Sequence, residues 1–302
     1  MAEDWGSRGV GQFLSDRFSK PEGPIDPTLH RLRTPFNVCI VGASRGIGAG
    51  IATSYAKAGA SGLTLASRRI SGLEETARQC RDINSAVDID IVACDITSAA
   101  SVATLAEKCK AKFGDHLDVV VVNSGYSGPV KLSVLDTDPD TFQNAINVNY
   151  VGTFLCAKYL IPLLLANATG ARAFIAVSSL AVCLVRGPIA NAQYCVSKAA
   201  QLKLMENIHE QFLPQGLQSF SVHPGAVLSE MADETVPDAF RPHLTDSTDL
   251  CGAFCVWLTR DAASKQWLSG RLLSATWDVR EIEAKREEIV SKDLLKLKVQ
   301  VV

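Results

Sequence analysis

The sequence lacks any CxxC pair. Its nine cysteines, Cys39, Cys80, Cys94, Cys109, Cys156, Cys183, Cys195, Cys251 and Cys255, are scattered, mostly inside apolar runs. A free thiol in such a run behaves as a small hydrophobe, so a reduced, intracellular chain is expected rather than a disulfide scaffold. Cys195 follows Tyr194 directly and is read as structural rather than reactive. Excess charge of either sign is also missing, with a formal net charge of −2. Nucleic acid and anionic membranes are therefore not expected partners, and a small neutral or anionic organic substrate suits the balance better. No continuous apolar run lies at the N-terminus, which argues against a secretory signal, and Glu3, Asp4 and Asp16 argue against a mitochondrial presequence. The apolar stretches near 119–122 and 159–166 are too short to cross a bilayer. A cytoplasmic protein without a metal site is expected, and no repeat of solenoid length occurs.

Residues 1–35 read as an N-terminal extension, broken by Pro21, Pro24, Pro27 and Pro35. Trp5, Phe13 and Phe18 give it apolar contacts for lying across the body, with a free tail as the alternative. From Phe36 the pattern alternates between strand and helix. Strands are expected at 37–41, 63–66, 90–94, 117–122, 173–177, 217–222 and 270–274. Helices are expected at 47–57, 73–83, 100–113, 142–166 and 193–213, the fourth interrupted or kinked near Pro162. Buried strands separated by helices of this length imply an α/β fold: one doubly wound parallel sheet of about seven strands, with helices on both faces, in a single domain over 36–280. Residues 281–302 read as a charged C-terminal helix and tail. The helix, over 281–298, offers Ile282, Ile289, Leu294 and Leu295 to the body or to a second subunit.

The first strand runs into Gly42-Ala43-Ser44-Arg45-Gly46-Ile47-Gly48. Gly42 allows a tight turn, Gly46 lets the backbone approach a pyrophosphate, and Gly48 lets the next helix pack on the sheet. That helix N-terminus offers free N–H groups to phosphates. The second strand ends in Ser67-Arg68-Arg69, without the acid that would accept from ribose hydroxyls. Arg68, with Arg45 from the glycine turn, suits a 2′-phosphate and hence NADP(H). Asp95 ends the third strand, where it suits a cap for the next helix. Asn123-Ser124-Gly125 ends the fourth.

Tyr194 and Lys198 are spaced i, i+4, so on a helix they share a face. A phenol titrates near 10 when unperturbed, and a neighbouring ammonium lowers that value. Tyr194 is thereby a candidate general acid or base.

These motifs, in this order, resemble the short-chain dehydrogenase/reductase family in its classical branch, over roughly residues 36–280. The glycine spacing is that family's GxxxGxG, with Val41 where threonine is usual, and YxxxK falls after strand five as in the family. The resemblance implies a Rossmann fold and a catalytic set of Asn149, Ser179, Tyr194 and Lys198, with Ser178 an open alternative to Ser179. It implies cofactor contacts from Gly42, Ser44, Arg45, Gly46, Ile47, Gly48, Arg68, Asp95, Asn123, Gly125, Tyr194, Lys198, Pro224, Gly225, Val227 and Ser229. His223, beside Pro224, is read as structural. Residues 228–246 correspond to a mobile lid over the substrate. The implied reaction is carbonyl reduction by hydride from NADPH. Tyr194 protonates the oxygen and Ser179 orients it. Lys198 lowers the phenol's pKa and grips the ribose, and Asn149 with a water resupplies the proton. Relatives often form dimers or tetramers through the two long helices, and the C-terminal segment is similar to that of fungal members. An NAD-dependent alcohol dehydrogenase, a non-catalytic dinucleotide-binding regulator and a scaffold protein stay open as alternatives.

Overall fold

The computed structural model describes residues 13–15 and 17–299. Its elements in chain order are β1 (Asn37–Val41), α1 (Gly46–Lys57), β2 (Gly62–Ser67), α2 (Ile70–Ile83), β3 (Asp88–Ala93), α3 (Ala99–Phe113), β4 (Val119–Val122), α4 (Pro139–Ala145), α5 (Gly152–Ala166), β5 (Ala173–Val177), α6 (Ala192–Phe212), β6 (Gln218–His223), α7 (Glu230–Thr235), α8 (Leu250–Thr259), α9 (Ala262–Lys265), β7 (Arg271–Ser274), α10 (Val279–Ala284) and α11 (Arg286–Ser291). The seven strands form one sheet in the order β3-β2-β1-β4-β5-β6-β7, with every pairing parallel. Strand order reverses between β1 and β4. A crevice at such a switch point, beyond the carboxyl ends of the strands, is where α/β sheets bind ligands.

Strand side chains alternate between two cores, as the two-residue period requires. Val38, Ile40, Val119, Val121, Ile175 and Phe220 face the layer holding α1, α2 and α8. Cys39, Val41, Val120, Val122, Phe174 and Ala176 face α3, α5 and α6. Both faces of β4 are therefore buried, which explains why its run is purely β-branched valine.

The expected strands and helices are present with ends moved by a few residues, but several expectations need correction. The fourth helix does not break at Pro162, since α5 runs on through it. The irregular turn lies earlier, a π-helical stretch at Ile146–Val151 linking α4 to α5. The combined helix Pro139–Ala166 is long and apolar enough by length and composition to cross a membrane, contrary to the expectation from its separate apolar runs. Its buried face packs in the second core. Helix α8 was not expected, because all ten of its residues are buried and no polar face marks a helical period. Tyr55 of α1 reaches it, its hydroxyl 2.9 Å from that of Thr259.

The single C-terminal helix is also corrected. Two short helices, α10 and α11, bury Ile282 and Ile289. The chain then turns at Asp293 and Leu295, both at positive φ. The Leu295 carbonyl accepts from Leu272 N–H of β7 at 2.8 Å, so this segment seals the sheet edge instead of extending as a helix.

Within the N-terminal segment, Leu14, Phe18, Ile25 and Leu32 are buried. Phe18 N–H donates to Thr276 O at 2.6 Å, and the Phe13 ring lies 5.7 Å from that of Trp277. Residues 13–15 and 17–35 are thus packed on the body, while Trp5 falls outside the described residues.

Candidate active site

The glycine turn leaves β1 at Gly42, whose φ of +94° is disfavoured for any residue with a side chain. A Cβ on Gly48 would lie 1.9 Å from Gly42 O, so only glycine lets α1 begin this close to the turn. Asn123, at the end of β4, ties the two central strands together. Its side chain donates to Gly42 O at 2.9 Å and its N–H to Val41 O at 2.8 Å. No side chain caps the N-terminus of α1. Ser44, Arg45, Gly46 and Ile47 form its approach.

The arginines are arranged differently from the expected pair. Arg45 forms an ion pair with Glu230 at the start of α7, and Arg69 lies 3.7 Å from the same carboxylate. The Arg68 charge, by contrast, reaches Asp95. The Asp95 carboxyl is held below its usual range, first by the Thr97 N–H and hydroxyl and then by Arg68. Ser98, not Asp95, caps α3. Arg69 and Glu230 were missed in the sequence. Arg69 was legible only as a neighbour of Arg68, and Glu230 gave no signal, since the loop path that carries it here is not encoded locally.

On the other side of β4, the π stretch positions Asn149, which is fully buried. Its Oδ1 accepts from Tyr126 N–H at 2.8 Å, and its Nδ2 donates to Tyr126 O at 2.7 Å and Ser197 Oγ at 2.9 Å. Gly125 lies beside it: a Cβ there would sit 3.5 Å from Asn149 Oδ1 and 3.9 Å from Lys198 Nζ.

Tyr194 and Lys198 share a face of α6. The Tyr194 phenol lies near Ser179, which lowers its proton affinity, and the Ser179 hydroxyl oxygen accepts from Ala181 N–H at 3.1 Å. Ser178 is buried and its hydroxyl has no hydrogen-bond partner among the described residues. Of the two serines, Ser179 is therefore the one beside the phenol. Lys198 Nζ donates to Val177 O at 2.7 Å and Gln201 Oε1 at 3.2 Å, and it stands 5.9 Å from the centre of the Tyr194 ring.

Burial acts on these two groups in opposite directions. It pushes the Tyr194 phenol up to about 12, against a lowering by Ser179, and brings Lys198 down to about 7. The expected lowering of the phenol by the lysine is absent here, because the ammonium is drawn to a backbone carbonyl. Burial also raises Cys195 to about 11, which keeps it a thiol, in keeping with a structural role. His223 falls to about 4, chiefly through burial, and its Nδ1 accepts from Leu180 N–H at 3.3 Å. That bond steadies the segment after Ser179.

Pro224 and Gly225 follow β6. The Asp246 carboxylate accepts from Ala226 N–H at 2.6 Å, and Val227 bridges to Asp246, so the excursion over 228–246 is closed at its base. Ser229 caps α7 through Ala232 N–H at 3.3 Å. Its Cβ lies 3.7 Å from where a Gly46 side chain would begin, which brings this loop over the glycine turn.

The family model described as short chain dehydrogenase matches residues 37–239. The chain belongs to the short-chain dehydrogenase family. Among its fungal relatives, the short chain dehydrogenase pgmD of Aspergillus terreus is 32% identical over 297 residues, covering 96% of this chain and 94% of that protein. The short chain dehydrogenase mpl6 of Monascus purpureus is 36% identical over 266 residues, covering 86% and 87%. A short-chain type dehydrogenase/reductase from Mycobacterium marinum superposes with a TM-score of 0.72 at 23% identity, covering 83% of this chain and 97% of that one. A 7α-hydroxysteroid dehydrogenase complexed with NADH and 7-oxo glycochenodeoxycholic acid gives 0.70 at 24%, covering 81% and 93%.

Members of this family are oxidoreductases that bind a nicotinamide dinucleotide and act on small molecules. The residues of this dehydrogenase fit such a group. The uncapped N-terminus of α1 and the Arg45 guanidinium beside it are the donors a pyrophosphate needs. Gly125, with no side chain, keeps the space before Lys198 open. No cluster of metal-ligating side chains occurs among the described residues.

Proposed function

We propose that this dehydrogenase is an NADP(H)-dependent, cytoplasmic reductase that interconverts a small-molecule ketone or aldehyde and an alcohol. The observation that carries this reading is the placement of Tyr194 beside Ser179 and one helical turn from a buried Lys198, near the switch point of the sheet. A bound dinucleotide would supply or accept the hydride. The Tyr194 hydroxyl gives its proton to the carbonyl oxygen in reduction and takes one back in oxidation. Ser179 donates to the same oxygen and holds it as negative charge develops. Lys198 would hold the ribose of a bound dinucleotide one helical turn from the phenol. Asn149 fixes the widened turn against which Lys198 rests, and a water held there returns the proton.

The glycine turn from Gly42 to Gly48 would hold the pyrophosphate, with Asp95, Asn123 and Gly125 lining the adenine and ribose side. Pro224, Gly225, Val227 and Ser229 would line the nicotinamide side. The preference for NADP(H) rests on the missing acid at the end of β2 and on Arg45 with Arg68 and Arg69, which an additional phosphate would satisfy. Residues 228–246 act as a lid over the substrate. The exposed Tyr150, Phe154 and Val196, on the two long helices, support a homodimer or homotetramer.

The test is a spectrophotometric screen of ketones, aldehydes and quinones with NADPH and NADH in parallel. Consumption of NADPH at a kcat/KM at least about tenfold above that for NADH supports the reading, a tenfold ratio being about 1.4 kcal/mol of discrimination. Faster turnover with NADH would replace it by an NAD-dependent alcohol dehydrogenase.

A further inference from the structure

The polar groups around Lys198 converge on one side chain that the mechanism above does not use. Gln201 follows Lys198 by three residues on α6 and is fully buried. Its Oε1 accepts from Lys198 Nζ at 3.2 Å. Its Nε2 donates to Asn149 O at 3.0 Å and to Thr153 Oγ1 at 2.8 Å. The Thr153 hydroxyl donates in turn to Asn149 O at 2.8 Å. Asn149 lies in the π stretch Ile146–Val151, and its carbonyl there serves two side chains.

A buried amide costs free energy unless its donors and acceptor are all matched. Gln201 meets that condition only because Lys198, Asn149 and Thr153 each stand where they do. Met205, four residues on along the same helix, shows that an apolar side chain is accommodated in this layer. Packing alone therefore does not call for glutamine.

We propose that Gln201 is a positioning residue for Lys198: its amide spans from the ammonium to the Asn149 carbonyl and fixes Lys198 Nζ between Gly125 and Tyr194. This rests on the reading that Lys198 serves the Tyr194 site. The amide does not surrender its N–H protons near neutral pH, so it orients the ammonium and carries no proton itself.

The groups facing Lys198 come from several elements. They are the Val177 carbonyl of β5, Asn149 of the π stretch, Gly125 after β4, and Tyr194 on α6 itself. His223, at the end of β6, is neutral near pH 7. Burial alone shifts Lys198, and no carboxylate from these elements offsets it. The Val177 and Gln201 oxygens are thus what the charged lysine has for partners, and removing either favours its neutral form.

The test follows Lys198 Cε by NMR in the full chain labelled with [ε-13C]lysine, the signal being assigned by its loss in Lys198→Met. In Gln201→Met the lysine is expected to titrate at lower pH than in wild type. In Gln201→Glu an acceptor returns, and the titration moves back above that of Gln201→Met. The kcat for carbonyl reduction falls about tenfold in Gln201→Met, as for a lost hydrogen bond to a charged group, and recovers in part in Gln201→Glu. Thermal unfolding identifies variants that fold. Should Gln201→Met not fold, Gln201→Asn is read instead, since it keeps the amide but is too short to span both partners, and a downward shift is again expected. An unmoved Lys198 titration in the folded variant would overturn the proposal. A titration that moves as stated, with no carbonyl turned over by wild type, would leave the positioning role standing and remove the proposed function.

Discussion

Lys198 and Tyr194 stand one turn apart on α6, yet the lysine bonds the Val177 carbonyl oxygen at 2.7 Å and not the phenol. Proximity along a helix does not decide where an ammonium points when a backbone acceptor is nearer. The consequence is a pair whose proton affinities approach neutrality from one side only, with Lys198 at about 7 and Tyr194 at about 12.

That lysine makes stability depend on pH. Its folded-state value of about 7 lies below its ordinary 10.5. The unfolded chain therefore holds more protons between these values, and wild-type stability from this group rises with pH across that window. Below pH 7 the full cost of a buried ammonium applies. Lys198→Met does not carry that cost, so its unfolding free energy relative to wild type should fall by about 1.4 kcal/mol per pH unit as pH rises from 7 toward 10.5. Denaturant unfolding of both proteins across the window measures this. A constant difference would contradict the assignment.

Glu230 holds Arg45 and approaches Arg69, so it competes with any phosphate for the same guanidinium groups. The three side chains are half exposed, which keeps the contact weak. Glu230→Gln should lower KM for NADPH by about two- to fivefold, the worth of an exposed ion pair, and leave KM for NADH nearly unchanged. Steady-state kinetics with both cofactors checks it.

Arg45→Ala and Arg69→Ala should act in the reverse sense. Each is expected to raise KM for NADPH about tenfold, as for a lost charge-assisted hydrogen bond, with a smaller effect on NADH. Arg68→Ala should do less, because it is Arg45 and Arg69 that converge on the Glu230 carboxylate. If Arg68→Ala proves the most damaging of the three, the expectation from the sequence was right and the arrangement with Glu230 is not the binding one.

The sheet was legible in the sequence because each buried strand is bounded by glycine or polar turns and separated by amphipathic helices. Where a helix is apolar all round, as in α8, the period vanishes and the element goes unseen. Gly42, Gly48, Asn149, Tyr194 and Lys198 were legible from spacing and resemblance, and the structure gathers them at one end of the sheet. Glu230 and Gln201 were not. Their importance comes from contacts across 185 and 52 residues of chain, Glu230 to Arg45 and Gln201 to the Asn149 carbonyl, and no local pattern records such pairings. The π stretch was hidden for a similar reason: Pro162 advertised a break, while the widened turn formed around Asn149.

The most direct measurement is single-turnover reduction of an accepted carbonyl substrate with NADPH by wild type and by Tyr194→Phe. Loss of the phenol proton should slow NADPH oxidation by at least about 100-fold, the lower end of general acid catalysis, while NADPH binding measured by fluorescence stays within about threefold, less than one hydrogen bond's worth. Hydride transfer at the wild-type rate in Tyr194→Phe would contradict the account.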